Sequence, residues 1–361
     1  MKIQRILAAA AIASLALGAA AQASHKITAG KANEYGLAYT LPSTVLDLYI
    51  EAELTNEQPG DFHNYAGRYL GTDNAIHEPS RSAKVKSVTI VPRGIASDAD
   101  RHLAEFKPGS SAFINLTPDN LPLAINTDEV YNALVPQIPV AQPAQPSPLE
   151  GNAAREAVTA DMARSSSLPK KAELAAQRIF EIRETRSDLL SGNADNPPAD
   201  GAAMKLVLDN LAAQEAALTA MFQGVRTTGT VVKKVSLEPD SAESVIVARL
   251  SAVDGIIDAD NLAGAPITAE IELLEEGSLP VDEKGTEKSY PKGGVAYTIP
   301  GTARITVYYA GNKVAQTTLP VAQYGVVFGL DPKLFTDKTQ PYKAIFDPAT
   351  GAVTTLAPIE K

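Results

Sequence analysis

The 361-residue sequence contains no cysteine, no tryptophan and only four histidines. Without cysteine the chain forms no disulfide, no thiolate metal site and no lipid anchor on an N-terminal cysteine, so stability must come from packed cores. Without tryptophan it lacks the strongest aromatic side chain for stacking and cation–π contacts, which lowers the expectation of a carbohydrate site. The histidines, at positions 25, 63, 77 and 102, show no HxxxH or HExxH spacing and predict no zinc site.

Several motifs of catalysis and ligand binding are also missing from the sequence. There is no G-x-S-x-G nucleophile elbow and no glycine-rich phosphate loop. The segment DGIIDADNLAG begins like a calcium loop, with oxygen atoms at Asp254, Asp258, Asp260 and Asn261. It lacks the glycine and the closing glutamate of such a loop, which favours an ordinary acidic turn. We therefore predict no catalytic, cofactor-binding or metal-binding residue and no cofactor.

Basic residues are fewer than acidic ones, 32 against 42, and the net charge is −10. A field of this sign repels nucleic acid and anionic lipid, so neither is expected as a partner. An envelope protein or a glycan remains as the expected kind of partner. No apolar run beyond the first one approaches the ~20 residues of a membrane-spanning helix, so no transmembrane segment is expected after processing.

The first 23 residues have the pattern of a cleaved signal peptide. Lys2 and Arg5 precede the apolar run ILAAAAIASLALGAAA, and the run ends at the small-x-small pattern Ala21-Gln22-Ala23. Cleavage after Ala23 removes two basic residues and no acidic one, so the processed chain begins at Ser24 with a net charge of −12. The alternative, a retained membrane anchor, is disfavoured because the run is too short. We expect an exported protein, either periplasmic or extracellular.

Residues 24–134 predict an N-terminal β-rich domain. In VLDLYIEAEL, Leu46, Leu48 and Ile50 alternate with polar residues, as in a strand that buries one face. The segment GDFHNYAGRYLG predicts a short helix that ends at Gly71. The segments AKVKSVTIVP, SAFINLT and LPLAIN predict further strands.

Residues 135–167 are predicted to form a proline-rich linker, with a helical turn or two between residues 153 and 163. Residues 168–223 predict a long antiparallel helical hairpin, because two apolar seams with spacings of three and four flank the turn NADNPPADG. Folding these seams together predicts that Arg178 faces Glu215 and that Arg186 lies near Leu208 and Asp209. The arginines of RIFEIRETR are then partners of seam carboxylates, although an anion site is the alternative.

From residue 224 to residue 361 the sequence predicts strands again, in a C-terminal β-rich domain. It includes hairpins that turn at Gly311-Asn312 and at DPATG, residues 347–351. The predicted fold class is therefore α+β. Two β-rich, sandwich-like domains are joined by the proline-rich linker and the helical hairpin.

One stretch occurs twice: GLAYTLPST from Gly36 and GVAYTIPGT from Gly294. Pro42 and Pro300 cannot donate to a sheet ladder, so each is expected at an edge, a bulge or a strand corner. The apolar faces after the two prolines are one residue out of phase, which requires a bulge that differs between the copies. Two related β-domains and a coincidence between two β-rich segments both remain open.

The sequence resembles a family of exported Bacteroidetes proteins that is known only as a domain of unknown function. The segments that carry the resemblance are YTLPSTVLDLYIEAE, FHNYAGRYLG, IFEIRETRSDLLSGNADNPPADG, LAAQEAALTAMFQG, IPGTARITV, LPVAQYGVV and IFDPATGAV. They cover nearly the whole processed chain, and the linker and residues 276–288 fit least. The resemblance implies an envelope or secreted setting in a Gram-negative, gut-type bacterium, and no activity, catalytic residue or cofactor.

Two function classes follow from the sequence. The first is a non-enzymatic envelope or secreted protein, in which β-domains and a rigid hairpin serve binding or scaffolding. The alternative is a hydrolase that acts on glycan or peptide through carboxylates dispersed in the sequence. A deep pocket with two facing carboxylates and several tyrosines would favour the hydrolase, and a shallow surface with exposed apolar patches would favour the binding protein.

Overall fold

The computed structural model describes residues 25–28, 37–106, 110–134, 136–198 and 200–360. The predicted signal peptide and Ser24 lie outside the described residues. Of the described residues, 43% lie in strands and 23% in helices, so the mixed fold class is confirmed. No helix in these ranges is long and apolar enough to cross a membrane.

Thirteen strands, six α-helices and two 3₁₀ helices, His63–Tyr65 and Pro148–Glu150, follow one another along the described chain. The strands are β1 His25–Thr28, β2 Leu37–Gln58, β3 Ser80–Ala104, β4 Phe113–Leu116, β5 Pro122–Ile125, β6 Val225–Leu237, β7 Ser244–Ser251, β8 Gly255–Ile257, β9 Ala265–Glu275, β10 Val295–Tyr309, β11 Asn312–Leu330, β12 Tyr342–Phe346 and β13 Val353–Pro358. The helices are α1 Ala66–Leu70, α2 Asn152–Ala157, α3 Ala160–Arg164, α4 Leu168–Ser191, α5 Gly201–Gln223 and α6 Lys333–Thr336.

The strands form three antiparallel sheets, in the orders β3-β2-β6, β11-β10-β9-β7-β8 and β1-β4-β5-β12-β13. The first core lies between the first two sheets, where Leu46, Leu48 and Ile50 of β2 pack in one cluster with Ala303 and Ile305 of β10. A second core joins the early parts of β2 and β10 to β4, β5, β12 and α6. The apolar face predicted for β2 is buried, but the strand does not bury that face alone, because Asp47 and Glu51 on the other face are buried as well.

Two of the three sheets mix strands from the two predicted β-rich segments, 24–134 and 224–361. β6 belongs to the second segment, yet it pairs with β2 along its whole length, and β12 pairs with β5. The first core also takes side chains from both segments. A sheet must bury its apolar face against another layer, and each segment buries that face against the other.

A third core lies at the base of the helices α4 and α5. Ala172, Ile179 and Ile182 of α4 cluster there with Phe222 of α5 and with Phe62, which lies in the connection between β2 and β3. The ends of both helices follow their sequence signals. Gly192 ends α4 with a φ of +77°, and the Asp200 carboxylate accepts a hydrogen bond at 2.7 Å from an N–H in the first turn of α5.

The predicted linker is partly packed. The helical turns expected between residues 153 and 163 are present as α2 and α3, and Ala157 and Met162 are buried in the third core. Before these helices, Gln142 exchanges two hydrogen bonds with Thr230 of β6, at 2.7 and 2.9 Å. The segment therefore runs along the first sheet and the helix base instead of standing free between domains.

Both prolines of the repeated stretch lie at strand corners, as expected. Pairing of β2 with β3 is interrupted between Thr40 and Pro42, opposite residues 97–100 of β3. Pairing of β10 with β11 is interrupted between Ile299 and Gly301, opposite residues 322–325 of β11. The skipped residue is Leu41 in the first copy and Pro300 in the second, so the bulges differ by one aligned position. This confirms the predicted difference and explains why the apolar faces are out of phase.

Candidate functional site

The proline corners of β2 and β10 meet at a buried site that we call the junction. It consists of residues 40–44, 298–301, 322–325 and 347–351. The hydroxyl of the fully buried Thr44 donates to the carbonyl oxygen of Ala349 at 2.9 Å and accepts from the backbone N–H of Ala322 at 3.0 Å. The side-chain amide of Gln323 makes two more hydrogen bonds with the backbone of Thr44. The first corner is thus tied directly to the bulge opposite the second.

The turn between β12 and β13 fills the space between the two corners. Thr350 is fully buried, and its hydroxyl donates to the Asp347 carboxylate at 3.0 Å. Gly351 adopts a φ of +73° that favours glycine, and an added Cβ would lie 2.9 Å from the ring of Pro42. Because the Asp347 carboxylate accepts hydrogen bonds only from its own turn, from Ala349 and Thr350, this part of the junction serves to position strands.

The outward face of β2 carries Asp47, a nearly buried carboxylate with three partners. Lys234 lies at 2.7 Å, Arg93 at 3.1 Å and the hydroxyl of Ser236 at 2.7 Å. Burial raises the pKa of Asp47, but the hydrogen bonds from Lys234, Arg93 and Ser236 outweigh it and hold the pKa below its usual value. Asp47 is therefore a structural charge, with its proton affinity lowered and its oxygens occupied.

Glu51 lies four residues, or two pleat repeats, further along the same face. Its carboxylate accepts from Lys86 at 2.9 Å and from Ser87 at 2.8 Å, and the hydrogen bond from Lys86 is the main reason that its pKa lies below the usual value. At about 3.3 Å per residue, Asp47 and Glu51 are about 13 Å apart along the strand. Glycosidase carboxylates lie about 5–9.5 Å apart, so this pair does not match that chemistry.

The charged residues of α4 and α5 pair differently from the prediction. Glu215 bridges Arg183, at 2.7 Å, and Arg186, whereas Arg178 pairs with Glu181 on its own helix at 3.2 Å. The predicted Arg178–Glu215 pair is therefore wrong, because a local partner three residues away satisfies Arg178. Arg186 meets Glu215, where the prediction had placed it near Leu208 and Asp209.

The pKa of Glu215 is raised by burial, but hydrogen bonds from its two arginines prevail and lower it overall. An open groove of about 460 Å³ lies beside this bridge, between α5 and the start of β6. Its charged lining is Arg183, Glu215 and Arg226, and Arg226 itself bonds Glu57 at 2.6 Å. Each cation already has a carboxylate partner. A second open groove, of about 400 Å³, has no carboxylate in its described lining.

The distal half of the two helices, which we define as residues 183–213, contains no buried residue among those the structure describes. Leu190 near the end of α4 and Leu206 near the start of α5 are 70% and 71% exposed, and Val207 is exposed as well. The predicted seam positions in this half, such as Leu189, Met204 and Leu208, are half-buried. Apolar side chains beside the seam, at Leu190 and Leu206, face solvent.

The structure brings two of the histidines together. The rings of His63 and His77 are 5.5 Å apart between centroids and meet edge to face. Their separation of 14 residues matches no ligand spacing, so sequence reasoning missed the pair. His102 lies elsewhere, on β3, with its ring 6.0 Å from that of Tyr39. Burial lowers the pKa of His102, although the nearby Asp100 opposes this effect.

The acidic segment at residues 254–264 uses its side chains separately. Asp254 accepts from the Ser251 hydroxyl, Asp258 pairs with Lys233 at 2.6 Å, and Asn261 accepts from the backbone N–H of Ala263. Within the described ranges, no three histidine, cysteine or acidic side chains converge to hold a metal ion. The segment is an acidic turn in the structure.

Comparison with curated proteins found no match, and comparison with solved structures found none either. A family model matches residues 35–354, which include the junction, the helices and all three cores. The model is described as a domain of unknown function (DUF4831), and on this match the chain belongs to the DUF4831 family.

Proposed function

We propose that this chain is an exported, non-enzymatic binding protein of the cell envelope or the extracellular space. In this proposal α4 and α5 form an antiparallel arm, and the distal half of the arm docks against a partner protein. The observation that carries the proposal is the exposure of Leu190 and Leu206 at about 70% on the part of the helices that has no buried residue among those described.

Single exposed leucines are common on protein surfaces and need no special explanation. Here, however, exposed apolar residues come from two consecutive helices and flank the same connection, residues 192–200. We propose that these side chains form one apolar surface, of the kind that is typical of a protein interaction site. Residues 183–213 contain no aromatic side chain, so they lack the platform on which a glycan would stack. The partner is therefore proposed to be a protein.

The base of the arm is well suited to present such a surface. Phe222 of α5 is fully buried, and its ring lies 5.3 Å from that of Phe62. The backbone N–H groups of Phe62 and Ile76 donate to Met221 and Gln223, in the last turn of α5, at 2.7 and 2.9 Å. A helix held at its base in this way positions its distal half with little loss of conformational entropy on binding.

The alternative function, a hydrolase that acts on glycan or peptide, receives less support from the geometry. The two grooves described are open, and Glu215 is the one carboxylate in the described lining of the larger groove. Asp47 and Glu51 are tied to cations and lie too far apart to act together.

Export rests on the sequence pattern before Ser24. Mass spectrometry of the protein recovered from its native host tests it directly. A processed chain that begins at Ser24 is the expected result. Recovery of the chain with Met1 or with the apolar run retained would contradict export through this signal.

The docking role can be tested by affinity purification from the native envelope after crosslinking. The variant Leu190→Ser/Leu206→Ser is compared with wild type and with Leu262→Ser. Leu262 is 79% exposed and lies in the connection between β8 and β9, so it is a comparably exposed leucine far along the chain from the two helices. We expect one partner that wild type and Leu262→Ser recover and that the double variant loses at least tenfold.

Recovery of that partner by all three proteins would contradict the docking role. Light scattering of purified wild type distinguishes self-association: a dimer that the double variant abolishes would make a second copy the partner in place of another protein.

A further inference from the structure

His63 and His77 form a pair whose spacing is fixed by the backbone. Each follows a residue that is hydrogen-bonded to the last turn of α5, Phe62 in one case and Ile76 in the other. The connection between β2 and β3 thus brings the two rings together edge to face at the base of the helices, 5.5 Å apart between centroids.

The tautomer of His63 is set by its hydrogen bond. Its Nδ1 lies 2.7 Å from the carbonyl oxygen of Gly60, which can only accept, so Nδ1 carries the proton and the neutral ring has its lone pair on Nε2. A ring N–H that donates to a backbone carbonyl is also the usual support of a metal-binding histidine. Among the described residues, neither ring nitrogen of His77 has a hydrogen-bond partner.

We propose that His63 and His77 together bind a divalent transition-metal ion that prefers imidazole, such as Zn²⁺, Cu²⁺ or Ni²⁺. A metal–nitrogen bond of about 2.0–2.1 Å places each ring centre about 3 Å from a shared ion. Two rings on one ion then lie up to about 6 Å apart between centres, and the observed 5.5 Å fits this geometry.

No third protein ligand converges on this pair within the described ranges, so water or a partner's side chain completes the coordination. The bound ion would join residues 63 and 77 and so tie the connection between β2 and β3 at both of its anchors on α5. It would stabilise the base of the helices whether or not their distal half binds a partner.

The test is calorimetric titration of the purified, tag-free chain with ZnCl₂, CuCl₂ and NiCl₂, with MgCl₂ as a hard-cation control. We compare wild type with His63→Gln and His77→Gln, and with His102→Gln as the matched histidine control. Wild type and His102→Gln should bind one transition-metal ion and no Mg²⁺, and each of the other variants should bind at least tenfold more weakly.

Thermal unfolding adds a second readout. Without metal, His77→Gln should unfold near the wild-type midpoint, because His77 is exposed, whereas His63→Gln should unfold somewhat lower, because it loses the hydrogen bond to Gly60. With Zn²⁺, the midpoint should rise for wild type and His102→Gln only. The proposal is overturned if wild type binds none of the three ions, or if His63→Gln and His77→Gln retain the wild-type affinity.

Discussion

The junction and the distal half of the helices differ in how their side chains are used. At the junction, Thr44 and Thr350 are fully buried, and each hydroxyl has a partner at about 3 Å. In the distal half no described residue is buried, and Leu190 and Leu206 face solvent. One region holds strands from both halves of the chain in fixed register, and the other presents apolar surface. Packing in this molecule thus stabilises the base from which the helices extend.

The largest effect is expected from Phe222→Ala, at the base of α5. Removal of this fully buried ring leaves a cavity against Phe62 and should lower the free energy of unfolding by about 3–5 kcal/mol. Phe180→Ala is the control on α4, because Phe180 is 51% exposed, and it should change the value by about 0.5 kcal/mol or less. Denaturant titration measures both. Similar losses for the two variants would mean that the base is not the packed part of the helices.

A somewhat smaller effect is expected from Thr44→Val at the junction. Valine keeps the shape but leaves the Ala349 carbonyl and the Ala322 N–H without their partner, which should cost about 2–3 kcal/mol. Thr228→Val replaces an exposed threonine of β6 and should be nearly neutral. If Thr44→Val were as mild as Thr228→Val in chemical denaturation, the junction could not be what holds the two corners together.

Glu215 lies between the buried base and the exposed distal half. Its variants should therefore lower the free energy of unfolding by intermediate amounts. Glu215→Ala removes the bridge between Arg183 and Arg186, both of which are partly exposed, and should cost about 1–2 kcal/mol. Glu215→Leu should cost less, because it returns apolar contact to the helix interface. Thermal unfolding midpoints compare the two. A larger loss for Glu215→Leu would show that the charge, and not the packing, matters at this position.

The smallest expected effect is the loss of folding stability at low pH. The pKa values of Asp47 and Glu215 in the folded protein lie below their usual values of 3.8 and 4.5. Each carboxylate therefore adds stability above its unfolded pKa, and this stability is lost as the pH falls through the folded pKa. The free energy of unfolding should drop below about pH 4, and less steeply in Asp47→Asn. If the free energy of unfolding of Asp47→Asn fell with pH as steeply as that of wild type, Asp47 would not contribute to the acid sensitivity.

Local chemistry explains which parts of the fold could be predicted from the sequence. Pro42 and Pro300 lack an N–H, so a corner or bulge was required wherever they stood. The alternation around Leu48 and the terminal signals at Gly192 likewise act within a few residues. The sharing of sheets between distant segments could not be predicted, because periodicity identifies a strand and its buried face but not its neighbour.

The ion pairs of the helices and the contact between the two histidines could not be predicted from the sequence either. The predicted Arg178–Glu215 pair assumed a particular register between the two helices, whereas arginines nearer the end of α4 reach Glu215 instead. His63 and His77 meet only because their neighbours bond to the last turn of α5. No spacing in the sequence predicts this contact. The burial of Asp47 on the outward face of β2 could not be predicted from the sequence either.

Site-specific photo-crosslinking in the native envelope tests the central claim most directly. A photoreactive residue is placed at position 206, in the distal half, or at position 262, in the connection between β8 and β9, and the crosslinked products are identified by mass spectrometry. The account predicts one protein crosslinked from position 206 and not from position 262. The same products from both positions, or none from position 206, would contradict a docking role for the distal half of the helices.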